Sequence, residues 1–149
     1  MVDRYFLILF VCLFTNIANA STIKIVSDKL EVISDDNISI FTGNVYALEE
    51  KIQIWSDKIV IKSNQNNSSI EEINAYNDVK IIRDEVTIIG SNAKYDINEN
   101  KLFVFGNVKV TQNMNIILCD EIIVDLNSSS SIMKSDTARR VEALIVNVN

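Results

Sequence analysis

Phe41-Thr42-Gly43-Asn44-Val45 is the stretch that decides the fold, because its ending returns as Gly106-Asn107-Val108 and, more loosely, as Asn77-Asp78-Val79. A second phrase alternates with it: Ser27-Asp28-Lys29-Leu30, Ser56-Asp57-Lys58-Ile59, Ser91-Asn92-Ala93-Lys94 and Cys119-Asp120-Glu121-Ile122. Copies of the second phrase recur at intervals of roughly 30 residues, which is typical of one supersecondary unit stacked on the next. The chain is therefore predicted to consist of repeated units that share one core.

Apolar residues occupy every second position through most of the chain after residue 21, and this is the period of a β-strand. Isoleucine and valine dominate these positions, and β-branched side chains suit a pleated surface. Turns rich in Asn and Asp, such as Asp35-Asp36-Asn37 and Asn98-Glu99-Asn100, separate the apolar runs. No long stretch has the spacing of three and four residues that an amphipathic helix needs.

Strands of this kind have one apolar and one polar face, so the sheet must fold over until its apolar faces meet. Short strands at regular spacing predict an all-β fold, an antiparallel β-jelly roll or two-sheet sandwich built from repeated β units and open at both ends. Glycine inside a strand often marks a bulge or bend. We predict bends at Gly43 and Gly106. We also expect the inward-facing parity to shift there by one residue, so that the side chains that face the core change from even-numbered to odd-numbered positions or the reverse.

Residues 1–20 have the pattern of a secretory signal: Arg4 near the start, the apolar run 5–14, and the small-residue ending Ala18-Asn19-Ala20. The apolar run is too short for a membrane-spanning helix, which needs ~20 apolar residues. We predict a signal peptide at residues 1–20, cleaved on export, and one domain at residues 21–149. An uncleaved membrane anchor is the alternative.

The composition argues against several classes of function. The chain has 14 Lys and Arg against 20 Asp and Glu, and its formal net charge is −6. Nucleic-acid binding needs clustered cations, so no nucleic-acid partner is expected, and docking by charge on an anionic membrane is disfavoured too. The only cysteine after residue 20 is Cys119, which takes the place of serine in the second phrase and is expected to be a small strand residue.

Catalysis has little support in the sequence. The chain has no histidine, the commonest general base and a frequent zinc ligand. The paired acids Glu49-Glu50, Glu71-Glu72 and Asp120-Glu121 are adjacent strand residues, whose side chains point to opposite faces. We therefore expect no enzyme, no cofactor and no metal, with a secreted hydrolase as the disfavoured alternative.

Several segments resemble the OstA-like family over about residues 22–146. The resemblance is carried by Ile23-Lys24-Ile25-Val26-Ser27-Asp28, Phe41-Thr42-Gly43-Asn44-Val45, Ile54-Trp55-Ser56-Asp57-Lys58-Ile59-Val60, Ala93-Lys94-Tyr95, Phe105-Gly106-Asn107-Val108 and Arg139-Arg140-Val141. The copy Asn77-Asp78-Val79 departs from the family pattern because it lacks the glycine.

The resemblance implies a periplasmic β-jelly roll that carries lipopolysaccharide from the inner to the outer membrane. It also implies acyl chains inside a slit, sugars outside, head-to-tail self-association, and contacts with inner-membrane and outer-membrane transport proteins. The alternative within the same pathway is an inner-membrane-anchored interaction module of the same fold, in which residues 1–20 remain attached.

An apolar slit between two sheets would shelter lipid A acyl chains from water, at roughly 0.8 kcal/mol for each buried methylene. The same side chains could also form an ordinary sandwich core that touches no lipid. The predicted slit residues are Ile23, Ile25, Ile40, Ile52, Ile54, Ile81, Ile88, Tyr95, Ile97 and Val104.

Uncovered strand edges offer unpaired backbone groups and accept a further strand. We expect docking edges on the first strand, predicted from Ile23 to Val32, and on the last, predicted from Val141 to Ile145. Shielding of these edges by the chain termini is the alternative. The predicted edge residues are Ile23, Ile25, Leu30, Val32, Val141, Ala143 and Ile145.

Overall fold

The computed structural model of the chain describes residues 22–136 and 138–148, which form ten β-strands and no helix. The predicted signal peptide at residues 1–20 lies outside the described residues. The strands are β1 (Ile23–Val26), β2 (Lys29–Ile33), β3 (Ile38–Glu49), β4 (Ile52–Ser63), β5 (Ile70–Arg83), β6 (Val86–Asp96), β7 (Lys101–Gln112), β8 (Asn115–Asp125), β9 (Ser130–Lys134) and β10 (Glu142–Leu144).

The strands pair in one antiparallel sheet ordered β1-β3-β4-β5-β6-β7-β8-β10, in which β2 also pairs with β3 and β9 with β8. Short turns join the successive central strands β3 to β8, so sequence neighbours become sheet neighbours. The predicted all-β antiparallel fold is confirmed, although the central strands, at 11 to 14 residues, are longer than the short strands we expected.

Both terminal strands differ from the prediction. The segment from Ile23 to Val32 is two strands, because β1 pairs with one half of β3 and β2 with the other half. The last strand covers only Glu142–Leu144. Val141 and Ile145 therefore flank β10 instead of belonging to it.

The register is irregular near the middle of every central strand, and these irregularities follow one another across the sheet. We call this row the fold line. A β-bulge increases the local bend and twist of a strand, and a row of bulges lets one sheet fold over on itself. The register shifts fall between Thr42/Val45, Trp55/Lys58, Tyr76/Val79, Ile89/Asn92 and Phe105/Val108.

The fold line divides the sheet into two layers whose apolar faces meet. Cavities between the layers are lined by side chains from both. Layer A comprises β1, β10 and residues 45–49, 52–55, 79–83, 86–90, 108–112 and 115–119. Layer B comprises β2, β9 and residues 38–42, 58–63, 70–76, 92–96, 101–105 and 121–125.

The two repeated phrases correspond to two kinds of strand. In β3 the inward residues keep one parity through the Gly-Asn-Val phrase, since both Phe41 and Val45 contribute to the core. In β4, which carries the Ser-Asp phrase, the inward parity shifts between Ile54 and Ile59. The strands are irregular at Gly43 and Gly106, where bends were predicted, and the irregularities are β-bulges. The predicted shift of parity occurs instead in the partner strands β4, β6 and β8.

The alternation of side chains along β3 shows that the prediction of Ile40 as an inward-facing residue is wrong. Phe41 is paired with the fully buried Ile59 and packs against the core. Ile40 is paired with Val60 on the opposite side of the same two strands. The side chain of Ile40 therefore belongs to the outer face of layer B.

The middle copy of the phrase forms its bulge without glycine. Asn77 and Asp78 take positive φ angles of 64° and 49°, and the Asn77 N–H donates to Asn92 Oδ1 at 3.3 Å. Gly43 and Gly106 both have φ of 86°. Asn and Asp tolerate the left-handed region better than other non-glycine residues, which explains why the bulge survives the substitution.

The buried core runs along both layers and consists almost entirely of aliphatic side chains. Cys119 is part of this core, as expected for a small strand residue, and burial raises the pKa of its thiol. The core residues are Val45, Ala47, Ile59, Ile61, Ile73, Ala75, Val79, Ile81, Ile88, Ala93, Leu102, Val104, Val108, Val110, Cys119 and Ile122.

An ion pair on the outer face of layer B makes stability depend on pH. Lys94 Nζ lies 2.7 Å from Glu72 Oε2, and hydrogen bonds from Lys94 and then Asn74 hold the pKa of Glu72 below its usual value of 4.5. A carboxylate with a lowered pKa stabilises the folded state above its unfolded pKa, and this contribution disappears as pH falls through the folded value.

We therefore expect Lys94→Met to lower the free energy of unfolding near neutral pH by less than about 1 kcal/mol, since the pair is partly solvated. The difference from wild type should shrink as pH falls below 4.5 and should vanish once pH lies below the lowered pKa of Glu72 in the folded chain. Urea unfolding across this range measures it, with Lys109→Met on layer A as the control. If the free energy of unfolding differed between Lys94→Met and wild type by the same amount at all pH values, the stabilising role of the Lys94–Glu72 ion pair would be contradicted.

Candidate functional site

A cavity with a volume of about 920 Å³ lies between the layers, toward the β9 and β10 end of the sheet. We call it the wide chamber. Its walls are apolar and come from both layers, because strands on either side of the fold line send alternate side chains inward. The apolar lining residues are Ile52, Ile81, Val86, Ile88, Leu102, Val110, Ile117, Ile122, Val124, Leu126, Met133 and Ile145.

Polar residues gather where the wide chamber meets the turns at the ends of the strands. Arg83, Asp84 and Glu85 come from the turn between β5 and β6, and Arg83 Nε lies 4.0 Å from Asp84 Oδ2. Gln112 and Asn115 bracket the turn between β7 and β8. The chamber is therefore apolar inside and polar at its mouth.

Toward β1, the space between the layers nearly closes. A second cavity there has a volume of only about 20 Å³, which is close to the space that one water molecule occupies. We call it the narrow chamber. Its lining residues are Ile23, Ile25, Ala47, Glu49, Ile52, Ile54, Ile73, Tyr95, Leu102 and Leu126.

Tyr95 combines an inward-facing ring with a polar tip. Its hydroxyl donates to Asn100 Oδ1 at 2.9 Å. Burial raises the pKa of Tyr95, and the carboxylates Glu49 and Glu50 raise it further. The hydroxyl therefore remains protonated, and able to donate, over the whole neutral range.

The structure places the predicted slit residues in different parts of the space between the layers. Ile81 and Ile88 line the wide chamber, while Ile23, Ile25, Ile54 and Tyr95 line the narrow one. Three of the predicted residues contribute differently: Ile52 lines both chambers, Ile97 packs against the core, and Val104 has no solvent exposure and reaches neither cavity. Ile40 alone lies on an outer face.

Most of the wide chamber was missed from the sequence. Leu102, Val110, Ile117, Ile122 and Val124 line it, and all of them belong to β7 and β8. The alternation that marks Leu102, Val110, Ile122 and Val124 as inward was visible in the sequence, but in β8 the alternation favours Ile116 and Leu118 as inward residues instead of Ile117. Nothing in a strand pattern shows that one end of the space between the layers is open and the other closed.

Both ends of the sheet present strands that lack a second neighbour among the described residues. β1 and β2 form one end, and β10 and β9 form the other. Ile23, Ile25, Leu30 and Val32 lie on the first edge, and Ala143 lies on the second. The side chains of these edges include unusually exposed aliphatic groups: Val26, Leu30, Val32, Leu144 and Ile145.

Residues 22–136 and 138–148 contain no group of three or more Cys, Asp or Glu side chains arranged to hold a metal ion. The prediction that the protein uses no cofactor stays a prediction. Within the same residues no helix has the length and hydropathy needed to cross a membrane.

A continuous antiparallel sheet folded into two layers around an apolar chamber, with free edges at both ends, defines an open β-jelly roll. Comparison with solved structures agrees: the chain matches the crystal structure of LptH, the LptA homologous periplasmic component of the lipopolysaccharide transport device from Pseudomonas aeruginosa. The TM-score is 0.75 over 85% of this chain and 96% of that one, at 14% identity, so the likeness concerns the fold. Comparison with curated proteins found no match.

The family model described as LptA/(LptD N-terminal domain) LPS transport protein matches residues 24–137. The chain therefore belongs to this family of lipopolysaccharide transport proteins. The resemblance to the OstA-like family is thereby confirmed. The role that describes the family is transport and not catalysis.

Proposed function

We propose that the protein is a periplasmic carrier of lipopolysaccharide, which holds acyl chains in the wide chamber and joins neighbouring transport proteins through its strand edges. Membership of the transport family supports the pathway, and the periplasmic LptH supports the location. Removal of residues 1–20 on export is part of this proposal.

The single observation that carries the proposal is the wide chamber. Its volume of about 920 Å³ is at the upper end of the roughly 300–1,000 Å³ typical of ligand pockets. Its lining is aliphatic, so each acyl methylene that enters gains roughly 0.8 kcal/mol over remaining in water. Arg83, Gln112 and Asn115 at the mouth suit the phosphates and sugars of a lipid head, which stay in water.

Uptake of purified lipopolysaccharide by the exported chain tests the carrier function directly. The protein should retain lipopolysaccharide through size-exclusion chromatography and release it when free short-chain detergent competes for the chamber. A chain that is folded but elutes without lipid at every ratio tried would contradict the proposal.

The free edges support the second part of the proposal, a bridge formed by strand addition. An edge strand that keeps its backbone groups unpaired can accept the edge of another molecule. The two edges of layer A, β1 and β10, are at opposite ends of one sheet. Copies joined head to tail would therefore continue both the sheet and the space between its layers. The ends of such a bridge would meet the inner-membrane and outer-membrane transport proteins.

We expect Val26→Cys on one molecule to crosslink with Leu144→Cys on another. Both side chains point outward from layer A, at 50% and 58% exposure, so each is accessible to a bis-maleimide reagent. The only other cysteine of the described residues, Cys119, is buried. Gel electrophoresis measures the crosslinked dimer in a mixture of the two variants and in a sample of each variant alone.

The head-to-tail arrangement requires much more of the mixed product than of Val26→Cys or Leu144→Cys homodimers. Predominant homodimers would instead indicate edges that meet like to like. Monomers at every concentration would contradict self-association while leaving lipopolysaccharide uptake as a separate question.

The alternative is an inner-membrane-anchored module of the same fold in the same pathway. It is favoured by one observation, the apolar run at residues 5–14. Sequencing the N-terminus of the exported protein separates the two. A mature chain that begins at Ser21 supports the free carrier, and an intact chain recovered in the membrane fraction supports the anchored module.

A further inference from the structure

The wide and narrow chambers are two parts of one space, because they share a wall. Both chambers are lined by Ile52 of layer A, by Leu102 of layer B, and by Leu126 in the turn that follows β8. Leu102 is only 6% exposed, and Ile52 and Leu126 are half-buried. We call these three residues the constriction.

The layer B side of the constriction is held by one asparagine. Asn100, in the turn between β6 and β7, accepts the backbone N–H of Leu126 on its carbonyl oxygen at 3.0 Å. The Asn100 side chain also donates to Asn127 Oδ1 at 2.8 Å. Asn127 in turn donates to the carbonyl oxygen of Glu99 at 3.4 Å. These bonds tie the turn that carries Leu126 to the turn that carries Asn100.

Tyr95 connects this polar network to the narrow chamber. Its ring lines that chamber, and its hydroxyl donates to the same Asn100 side chain that binds Asn127. The Leu126 backbone is thus fixed by its own N–H bond to Asn100. The Tyr95 ring and the two turns are further fixed by the side-chain hydrogen bonds that join Asn100 to Tyr95 and to Asn127. Such bonds can break without disturbing the ladder of the sheet, because no backbone pair of β6 or β7 depends on them.

We propose that the constriction is a gate within the lipid path, that Tyr95 and Asn100 are its latch, and that bound acyl chains rest in the wide chamber until the latch opens. This inference rests on the proposed carrier function. It divides the path into a holding compartment on the β9 and β10 side and a closed passage that leads to the β1 edge.

The volumes of the chambers give the reason for a gate. A space of about 20 Å³ holds no acyl chain, so lipid passes the narrow chamber only when the layers separate there. Separation would move Ile52 of layer A away from Leu102 and Leu126, which line the same two chambers from the other side. A latch that fixes the Tyr95 ring and ties the turn of Asn100 to the turn of Leu126 and Asn127 keeps the empty passage shut and keeps water out of it.

Site-specific photo-crosslinking to purified lipopolysaccharide tests the gate in the complete exported chain. A photoreactive residue replaces either Ile25, in the narrow chamber, or Ile117, in the wide one. The quantity measured is the ratio of lipid captured at position 25 to lipid captured at position 117. Wild type should give a low ratio, since its passage is closed.

Two variants open the latch by different means. Tyr95→Phe removes only the hydroxyl, and Asn100→Gly removes the amide while keeping a residue that accepts the positive φ of 53°. Loss of one such hydrogen bond shifts an open-to-closed equilibrium by about fivefold. Tyr95→Phe loses one such bond and should raise the capture ratio by about fivefold. Asn100→Gly loses the bonds to both Tyr95 and Asn127 and should raise it by at least as much. Tyr46→Phe, on the outer face of layer A, is the matched control and should leave the ratio unchanged.

The outcomes separate the gate from the carrier. Equal capture at positions 25 and 117 in wild type overturns the gate and keeps the carrier. A low ratio that neither Tyr95→Phe nor Asn100→Gly changes, with thermal stability intact, overturns the latch. Absence of capture at both positions overturns the carrier function and the gate with it.

Discussion

Ile117→Asp should reduce lipopolysaccharide binding at least tenfold, whereas Ile116→Asp should bind like wild type. The two residues are neighbours in β8, but Ile117 lines the wide chamber and Ile116 pairs with Leu144 on the outer face of layer A. A carboxylate in the chamber must either stay solvated, which admits water beside the acyl chains, or lose its hydration at a cost of several kcal/mol. A loss of about 1.4 kcal/mol in binding energy already lowers affinity tenfold.

Equilibrium binding of fluorescent lipopolysaccharide, with urea unfolding of each variant, measures this effect. Because both positions are partly exposed, neither carboxylate need unfold the chain. Ile117→Trp provides a second check, since it fills part of the chamber and keeps it apolar; it should also lower the amount of lipid bound. Equal affinities for the Ile117→Asp and Ile116→Asp proteins would contradict the placement of lipid between the layers.

Gly106→Ala should lower the free energy of unfolding by about 1–3 kcal/mol, a large effect for the addition of one methyl group. Gly106 has φ of 86°, a region that side chains rarely adopt. A Cβ at this position would lie 2.5 Å from Ser91 Oγ and 2.6 Å from Ser91 Cβ. The fold line there leaves no room for the methyl group, so β6 or β7 must shift.

Two further variants separate the causes of this loss. Ser91→Gly in the Gly106→Ala background removes the contact and should restore part of the stability, with the backbone strain remaining. Asp78→Gly, at the corresponding bulge of β5, should change stability by no more than about 1 kcal/mol, because the native φ of 49° suits glycine. A Gly106→Ala protein as stable as wild type would show that the bulge is dispensable.

The same bulges explain what could be predicted from the sequence. The alternation of apolar residues identifies the strands, and the repeated Gly-Asn-Val phrase correctly indicates bulges at Gly43 and Gly106. The error at Ile40 arose from assigning the change of parity to the glycine strand. A bulge places two residues opposite one, and only the pairing partner, visible in three dimensions, shows which strand changes phase.

The site was less predictable than the fold for a physical reason. Inward-facing residues such as Ile25 and Ile88 have the same pattern in the sequence, yet Ile25 faces a space of about 20 Å³ and Ile88 one of about 920 Å³. Cavity size depends on the distance between two layers, which no strand pattern encodes. The tie between Tyr95, Asn100 and Asn127 was hidden too, because Tyr95 belongs to β6 while Asn100 and Asn127 lie in two turns that are distant in sequence.

Photo-capture in growing cells at two adjacent positions tests the central claim most directly. A photoreactive residue at position 117 faces the space between the layers, and one at position 116 faces outward on the same strand. The account predicts that lipopolysaccharide is captured at position 117 and not at position 116. Capture at position 116 alone, or equal capture at both, would mean that the lipid does not travel between the layers.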